Sequence, residues 1–297
     1  MAAWQSDAGL QTAFIERGYT RGLRHNTLPF SCAAMHVPPP MDPTTLLILF
    51  AVGLLAGFVD SIAGGGGMAT LPALQLAGLD PVGAVATNKL AGTFGSGSAT
   101  FAFWRAGRID FTRMGPSALL ALAGSVLGAL ALPYAPRALL VAAIPLLLIV
   151  VAAYFAFSPK LTSPGGAGGT PRPLALLAAH GLIGFYDGVF GPGAGSFYMI
   201  ALLRLGRAEL VDALAGARLA NFGSNIGSLT VYALGGHIVV MAGLAMGTGN
   251  FIGAHIGAHT ALKAGARVIR PLVVVIALAL AVKLLSQADA PWRTWLP

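Results

Sequence analysis

The chain carries GFVDSIAGGGG at positions 57–67 and a related stretch, GFYDGVFGPGA, at positions 184–194. The two stretches superpose Asp60 on Asp187, and each places a glycine cluster directly after an apolar run. Neighbouring glycines disfavour a continuous helix, because each one costs about 1 kcal/mol relative to alanine. The two stretches therefore predict broken helices at equivalent places, each with a carboxylate one turn before the break.

Composition places these breaks in a membrane protein. The 297 residues are 56% hydrophobic and 9% charged, against about 25% charged in an ordinary soluble domain. These values exclude a soluble enzyme and a disordered chain, and we expect no nucleic-acid partner. The single cysteine, Cys32, allows neither an internal disulfide nor a cysteine metal cluster, so thiol chemistry contributes neither stability nor function. We expect no metal and no cofactor.

Apolar runs long enough to cross a hydrocarbon core of about 30 Å begin at position 44. Two shorter runs, 68–79 and 195–205, directly follow the glycine clusters and are predicted to be half-helices. The predicted fold class is all-α: a polytopic membrane protein with eight long transmembrane helices and two short half-helices. The long spans are predicted at 44–63, 82–104, 114–134, 138–157, 173–190, 209–233, 238–259 and 268–285.

The chain divides into two membrane repeats with a linker between them. The segment SPKLTSPGGAGGTPR is rich in glycine and proline, which is typical of a linker. Residues 1–42 form a polar extension predicted to be disordered, and an alternative hypothesis is that translation begins near Met35 or Met41. The predicted boundaries are 1–42 for the extension, 43–157 for the first repeat, 158–172 for the linker, 173–286 for the second repeat and 287–297 for the tail.

Similarity between the repeats continues beyond the glycine clusters. ATNKLAG at 86–92 lies on AGARLAN at 215–221, and a one-residue shift then pairs Gly107 with Gly235. Matches that recur in order at a nearly constant offset indicate an internal duplication.

Basic residues indicate how the repeats are oriented. If the second repeat is inverted relative to the first, ten Lys and Arg fall on one side of the membrane and three on the other. That asymmetry obeys the positive-inside rule, whereas parallel repeats violate it. We therefore predict an inverted repeat with both termini outside the cytoplasm. The ten cytoplasmic residues are Arg105, Arg108, Arg113, Lys160, Arg172, Arg204, Arg207, Lys263, Arg267 and Arg270.

Four ionisable residues stand inside the predicted spans at repeat-related positions: Asp60 with Asp187, and Lys89 with Arg218. A carboxylate inside the membrane costs about 2.5–3.5 kcal/mol, so each must pair, protonate or meet water. Two compatible roles are open for the aspartates: capping the half-helices or carrying a coupling proton. The cations either neutralise the aspartates or contact an anionic substrate, and we expect a structural ion pair for at least one of them.

The half-helix N-termini are suited to an anion, since they present free N–H groups and about half a unit of positive charge. Close helix packing through small residues is the alternative role for the glycines. We predict proton coupling at Asp60 and Asp187, no catalytic residue and no metal ligand. The predicted substrate-binding residues are Gly64, Gly65, Gly66, Gly67, Thr87, Asn88, Lys89, Gly191, Gly193, Gly195, Arg218 and Asn225.

Five ordered motifs resemble the TSUP family, the TauE/SafE sulfite-exporter-like transporters of bacterial inner membranes. The motifs are GFVDSIAGGGG, ATNKL, GFYDGVFGPGAGSFY, NFGSNIG, and NFIGAHIGAH followed by RPLVVVI, and the similarity runs from 43 to 285. The resemblance implies a carrier with two homologous halves that moves small sulfur-containing anions by secondary, proton-linked transport. By matching motifs, the family signature falls on Asp60, Gly64, Gly65, Gly66, Gly67, Thr87, Asn88, Lys89, Tyr186, Asp187, Gly191, Gly193 and Asn225.

The chain departs from this pattern at His255 and His259, where the resemblance leads us to expect arginine. Their i, i+4 spacing is that of metal ligands, but no carboxylate on the same helix and no cysteine elsewhere supports a metal. An interfacial or gating role, with a pH-sensitive charge, is the alternative.

The sequence as a whole predicts a multi-pass protein of the cell inner membrane that is not an enzyme. Its expected partners are a small anionic substrate and the lipid bilayer, and self-association is left open. The expected function is alternating-access export of small sulfur-containing or organic anions such as sulfite or organosulfonates, coupled to protons.

Two alternatives are an anion channel and an intramembrane aspartyl protease. The protease has YD and PAL motifs, and these are superficially matched by Tyr186-Asp187 and by Pro72-Ala73-Leu74. Val59 precedes Asp60 where the protease motif requires glycine, and the motifs stand in the wrong order.

Overall fold

The computed structural model describes residues 41–134 and 170–264, and this part of the chain is all-helical. The predicted spans at 138–157 and 268–285 lie outside the described residues, as do the extension up to residue 40, most of the linker and the tail. By length and composition alone, α1 and α4 are apolar enough to cross a membrane. The helices are α1 (Pro43–Ala63), α2 (Gly67–Leu76), α3 (Pro81–Arg105), α4 (Phe111–Ala131), α5 (Pro173–Val189), α6 (Ala194–Arg204), α7 (Leu210–Leu234) and α8 (Val240–Ala264), and a 3₁₀ turn (Leu132–Tyr134) follows α4.

Aspartate N-caps determine where three of these helices begin. Asp42 and Asp80 each precede a proline at the first helical position, where its fixed φ suits a helix and its missing N–H costs nothing. The carboxylate of Asp80 accepts the backbone N–H groups of Val82 at 3.0 Å and Gly83 at 3.1 Å. Asp110 caps α4 in the same way.

The predicted helix breaks are present at both glycine clusters. Gly64 ends α1 with a φ of 88°, and Gly191 and Gly193 separate α5 from α6 with φ values of 95° and 82°. Side chains with a Cβ rarely adopt this left-handed conformation, so glycine is required there. The short helices α2 and α6 begin directly after the breaks, where the sequence predicts half-helices.

The second break reverses the chain, a return that the predicted placement of Arg172 and Arg204 on one side of the membrane also requires. The backbone N–H of Arg172, before α5, donates to the carbonyl of Leu205, after α6, at 2.9 Å. The start of α5 and the end of α6 therefore lie together, and the two helices form a hairpin. The run at 173–190, predicted as a full span, is one arm of this hairpin, with the break at its tip.

Helix packing follows the sequence repeat, with partners exchanged between the halves. In the first half α1 packs mainly on α8, and in the second half its counterpart α5 packs mainly on α4. Likewise α3 packs on α8 while α7 packs on α4, and α3 and α7 contact each other at the centre. Each half is thus completed by helices of the other.

Equivalent glycines with positive φ follow α3 and α7. Gly107 has a φ of 71° and its N–H donates to Trp104; Gly236 has a φ of 69° and its N–H donates to Ala233. The structure therefore pairs Gly107 with Gly236, rather than with Gly235, and the repeat needs no one-residue shift there.

Glycines bring paired helices into backbone contact. On α8, a Cβ at Gly249 would overlap the carbonyl oxygen of Phe50, and a Cβ at Gly253 would overlap that of Leu54. Residue numbers rise together along the contact, so α1 and α8 run parallel. The contact between α4 and α5 is also parallel and glycine-mediated, with Gly124 against Gly181. Such small-residue contacts let transmembrane helices approach closely.

We expect Gly253→Ala to destabilise the protein by about 1–3 kcal/mol, because the added methyl group has no space beside the backbone of α1. Gly115→Ala is the matched control, since no atom lies within 4 Å of a Cβ at that position of α4. It should be neutral or stabilising by up to about 1 kcal/mol. Thermal unfolding in detergent measures both, and equal unfolding temperatures would contradict the close packing.

Candidate functional site

A small polar cavity lies between the two helix breaks. Its walls come from both glycine breaks, both aspartates and polar residues of α3, α7 and α8. Its volume is about 30 Å³, which is enough for a water molecule or two. The lining residues are Asp60, Gly64, Gly66, Gly67, Thr70, Asn88, Lys89, Gly92, Asp187, Gly191, Gly193, Gly195, Asn221, Asn225 and Asn250.

Lys89 and Asp187 form a buried ion pair across the two halves. Lys89 Nζ lies 2.7 Å from Asp187 Oδ1, with side-chain exposures of 1% and 3%. The other carboxylate oxygen of Asp187 accepts the hydroxyl of Ser224 from α7. Burial of both charges costs several kcal/mol, so each depends on the other to remain ionised.

Arg218 and Asp60 form the repeat-related ion pair, in which the second half supplies the cation and the first half supplies the carboxylate. Arg218 Nη1 donates to Asp60 Oδ2 at 2.6 Å, and the Arg218 side chain is fully buried. The second oxygen of Asp60 accepts the backbone N–H of Gly66 at 3.0 Å, at the start of α2. Asp60 therefore has both a cation partner and a capping bond to the half-helix.

The ion pairing is fully exchanged between the repeats. The cation of the first half pairs with the aspartate of the second, and the cation of the second half pairs with the aspartate of the first. Both cations thus have a counter-charge, whereas the sequence argument expects an ion pair for at least one.

Arg218 retains donors without a hydrogen-bond partner in the described part of the chain. Its Nε and Nη2 atoms are buried and make no hydrogen bond there. The guanidinium group lies against Gly195 of α6, where an added Cβ would overlap Nη2. Unpaired N–H groups on a buried cation are costly, so this side of Arg218 is suited to an oxyanion or water.

Asparagine side chains supply most of the remaining polar lining. Asn88 Oδ1 accepts the hydroxyl of Thr70 at 2.6 Å, and Asn225 Nδ2 lies 3.3 Å from the Ser96 hydroxyl. These bonds tie α2 to α3 and α3 to α7, and they orient amide groups at the cavity wall.

Asn250 is a lining residue that the sequence argument missed. Its Nδ2 donates to the carbonyl of Ala91 at 3.0 Å, and its buried Oδ1 has no partner among the described residues. Gly57 and Gly95 leave space for this amide, because a Cβ on either would overlap Oδ1. A single asparagine in the middle of the apolar α8 was the available signal.

Other predicted residues lie elsewhere. Gly65, Thr87 and Arg218 do not line the cavity. Arg218 contacts two lining residues, Asp60 and Gly195, and the Thr87 hydroxyl oxygen accepts the N–H of Val239 at 3.0 Å before α8. His255 and His259 are exposed, with ring centroids 4.5 Å apart. Within residues 41–134 and 170–264, no cluster of three possible metal ligands occurs.

Comparison with known proteins identifies the chain's relatives. The family model "Sulfite exporter TauE/SafE" matches residues 49–284. "Probable membrane transporter protein ORF9" of Sinorhizobium sp. is 43% identical over 251 residues, covering 84% of this chain and 96% of that protein. "Probable membrane transporter protein YfcA" of Escherichia coli K12 is 42% identical over 250 residues, covering 82% and 91%.

A "Probable membrane transporter protein" of Haemophilus influenzae is 36% identical over 247 residues, covering 83% of this chain and 96% of that protein. No solved structure matches the chain. The matches, with the helical bundle and its buried charged cavity, identify a membrane-embedded transporter rather than an enzyme. The chain belongs to the TauE/SafE sulfite exporter family.

Proposed function

We propose that the protein is a secondary transporter that exports small sulfur-containing or organic anions, such as sulfite or organosulfonates, by alternating access. The observation that carries this proposal is the buried Arg218, which lies beside Gly195 in the first turn of α6 and whose Nε and Nη2 have no hydrogen-bond partner in the described chain. A small oxyanion satisfies both donors and meets the N-terminal end of α6, where backbone N–H groups add positive potential.

Charge balance in the cavity supports coupling to protons. Lys89, Asp60 and Asp187 line the cavity, and Arg218 pairs with Asp60. These four charges sum to zero, so a bound monoanion adds one uncompensated negative charge at a buried site. Protonation of Asp60 or Asp187 removes that charge and frees its cation partner to hold the anion. Binding of anion and proton together is therefore favoured, so net export occurs when the product of their concentrations is higher in the cytoplasm than outside.

We place the protein in the cell inner membrane as a multi-pass inverted repeat with a binding site between its halves. The basic residues of the α3–α4 and α6–α7 loops support a common cytoplasmic side under the positive-inside rule. Parallel packing of α4 and α5 also supports the topology, because the chain must return across the bundle between them. The predicted span at 138–157 has the length for that return.

An intramembrane aspartyl protease fits the site less well. Proteolysis of that type needs two carboxylates that share a proton, whereas Asp60 and Asp187 each hold a separate cation. A channel is distinguished by flux that does not saturate with anion concentration.

Flux measurements in proteoliposomes test the proposal, with radiolabelled sulfite, organosulfonates and organic acids as candidate substrates. We expect saturable flux of at least one anion that responds to an imposed pH gradient. Asp60→Asn and Asp187→Asn should each lose the response to pH. Asp80→Asn is the matched control, because asparagine still caps α3 and Asp80 lies outside the cavity.

Three results would contradict the proposal: no flux of any tested anion, flux that never saturates, or an unchanged pH response in both aspartate variants. Cleavage of a membrane-segment substrate by the purified protein would favour the protease instead.

A further inference from the structure

A second pocket opens at the end of the bundle where α5 starts and α6 ends. Its volume is about 460 Å³, within the range of about 300–1,000 Å³ typical of small-molecule sites. The central cavity, at about 30 Å³, is far smaller. The lining residues are Gly107, Arg108, Asp110, Arg113, Met114, Ser117, Leu176, Leu202, Gly206, Arg207, Ala208, Glu209 and Asp212.

The pocket and the central cavity lie on the same faces of the α5–α6 hairpin. On α5, Leu176 lines the pocket and Asp187, eleven residues later, lines the cavity. On α6, Leu202 lines the pocket and Gly195, seven residues earlier, lines the cavity. Residues seven and eleven positions apart lie on the same face of a helix. On each helix, therefore, a single face lines the pocket at one end and the cavity at the other.

Two stacked rings stand between the pocket and the cavity on those faces. His180 follows Leu176 by four residues, and Tyr198 precedes Leu202 by four. Their ring centroids lie 5.2 Å apart at an angle of 28°, and both residues are fully buried. Tyr198 is close enough to Asp187 to interact with it electrostatically. The two rings therefore lie between the pocket and the central cavity.

His180 is a buried polar ring whose hydrogen-bonding capacity is only partly used by the described residues. Its Nδ1 is bonded to the carbonyl of Leu176 at 2.9 Å, but its Nε2 is buried without a partner in the described chain. The repeat-related positions in the first half are Gly53 and Leu71, which cannot form such a stack. The polar ring pair is therefore specific to the second half.

Arg207 stands at the mouth of the pocket in a strained conformation. Its φ is 53°, and it is the only residue other than glycine with positive φ in the described ranges. The repeat-related position is Gly78, with a φ of 91°. An arginine in this conformation costs about 1–2 kcal/mol, and strain of this kind is often kept where the side chain has a function.

Three carboxylates balance the three arginines of the lining. Asp110 caps α4 by accepting the N–H of Thr112 at 2.9 Å, and Asp212 accepts from Arg108 at 3.3 Å. The pocket lining therefore has no net charge, so its overall charge does not attract an anion. Attraction depends instead on the position of an individual arginine within the lining.

We propose that this pocket is the entrance through which the anion reaches the central cavity, with stacked His180 and Tyr198 as the closed barrier and Arg207 as the residue that attracts the anion. The inference rests on the proposed transport function. In the proposed topology the entrance faces the cytoplasm, which is where export begins.

Cysteine labelling tests the entrance without requiring a substrate. In a Cys32→Ser background, Ser117→Cys places a thiol in the pocket, and Ser98→Cys places one at a buried serine of α3 outside both spaces. A charged, membrane-impermeant thiosulfonate should label Ser117→Cys from the cytoplasmic side only and leave Ser98→Cys unlabelled. Equal labelling of both, or labelling of Ser117→Cys from the opposite side only, would overturn the entrance.

The barrier is tested with a deeper thiol. Ser224→Cys, next to Asp187, should be protected while His180 is present and become labelled from the cytoplasmic side with His180→Gly, the residue of the first half. If Ser224→Cys is labelled equally with and without His180, or is labelled in neither case, His180 does not form the barrier.

Arg207→Gly tests attraction of the anion with little risk to folding, because glycine relieves the left-handed strain. We expect the KM for the transported anion to rise about tenfold at low salt with kcat unchanged, since electrostatic steering acts on encounter. Arg105→Gln, an exposed arginine outside the pocket, should leave KM unchanged. An unchanged KM in Arg207→Gly would exclude the role of Arg207. Absence of wild-type flux would defeat the transport proposal, while the labelling would still report on the entrance.

Discussion

Lys89→Met will abolish anion transport and lower the free energy of unfolding by about 3–5 kcal/mol, the usual effect of removing one partner from a buried ion pair. Lys89 is 99% buried against Asp187 at 2.7 Å, so the substitution leaves a carboxylate without a counter-charge. Thermal unfolding in detergent measures the stability change, and flux in proteoliposomes measures transport.

A double variant separates the two effects. In Lys89→Met/Asp187→Asn both charges are gone, so most of the lost stability should return while transport stays absent. Wild-type flux in the double variant would mean that the pair only supports the fold. Lys89→Arg keeps the charge and should preserve folding, which controls for loss of the cation itself.

Gly195→Ala will reduce transport about 100-fold, since a displacement of about 1 Å in a binding group has effects of that size. A Cβ at Gly195 would overlap Nη2 of Arg218 and lie 3.1 Å from Cζ. The buried guanidinium must then move, and its 2.6 Å bond to Asp60 is disturbed. Flux at several anion concentrations measures the loss.

Gly181→Ala is the matched control, because this glycine of α5 in the same hairpin has only the carbonyl oxygen of Leu120, at 3.9 Å, within contact distance of a Cβ. It should transport at the wild-type rate. Equal losses in Gly181→Ala and Gly195→Ala would show that the hairpin responds to any added methyl group, and that Arg218 is not the cause.

The described helices follow closely from the sequence because their signals are local. Apolar length identifies α1 and α4, an Asp-Pro pair starts α1 and α3, and glycine clusters stop α1 and α5. The direction that the chain takes after a break is not determined by the neighbouring residues alone. The α5–α6 hairpin depends on left-handed backbone at Gly191 and Gly193, and glycine identity alone allows this conformation without requiring it.

The sequence also predicts the charged residues of the site but not how they pair between the halves. Asp60, Asp187, Lys89 and Arg218 are visible as charges inside apolar spans. Their exchange between halves depends on which helices meet, and α1 meets α8 through backbone contacts at glycines far apart in the chain. Asn250 was missed for the same reason, since it reaches the cavity from α8 through the space left by Gly57 and Gly95.

The exchanged ion pairs have a consequence for the origin of the molecule. Neither half pairs its own carboxylate with its own cation. Two identical half-length chains, assembled about a two-fold axis, would form both pairs at once, because the cation of each would pair with the carboxylate of the other. Such a dimer could form this cavity before gene duplication and fusion joined its subunits. Separately expressed halves should accordingly fold only when they are made together.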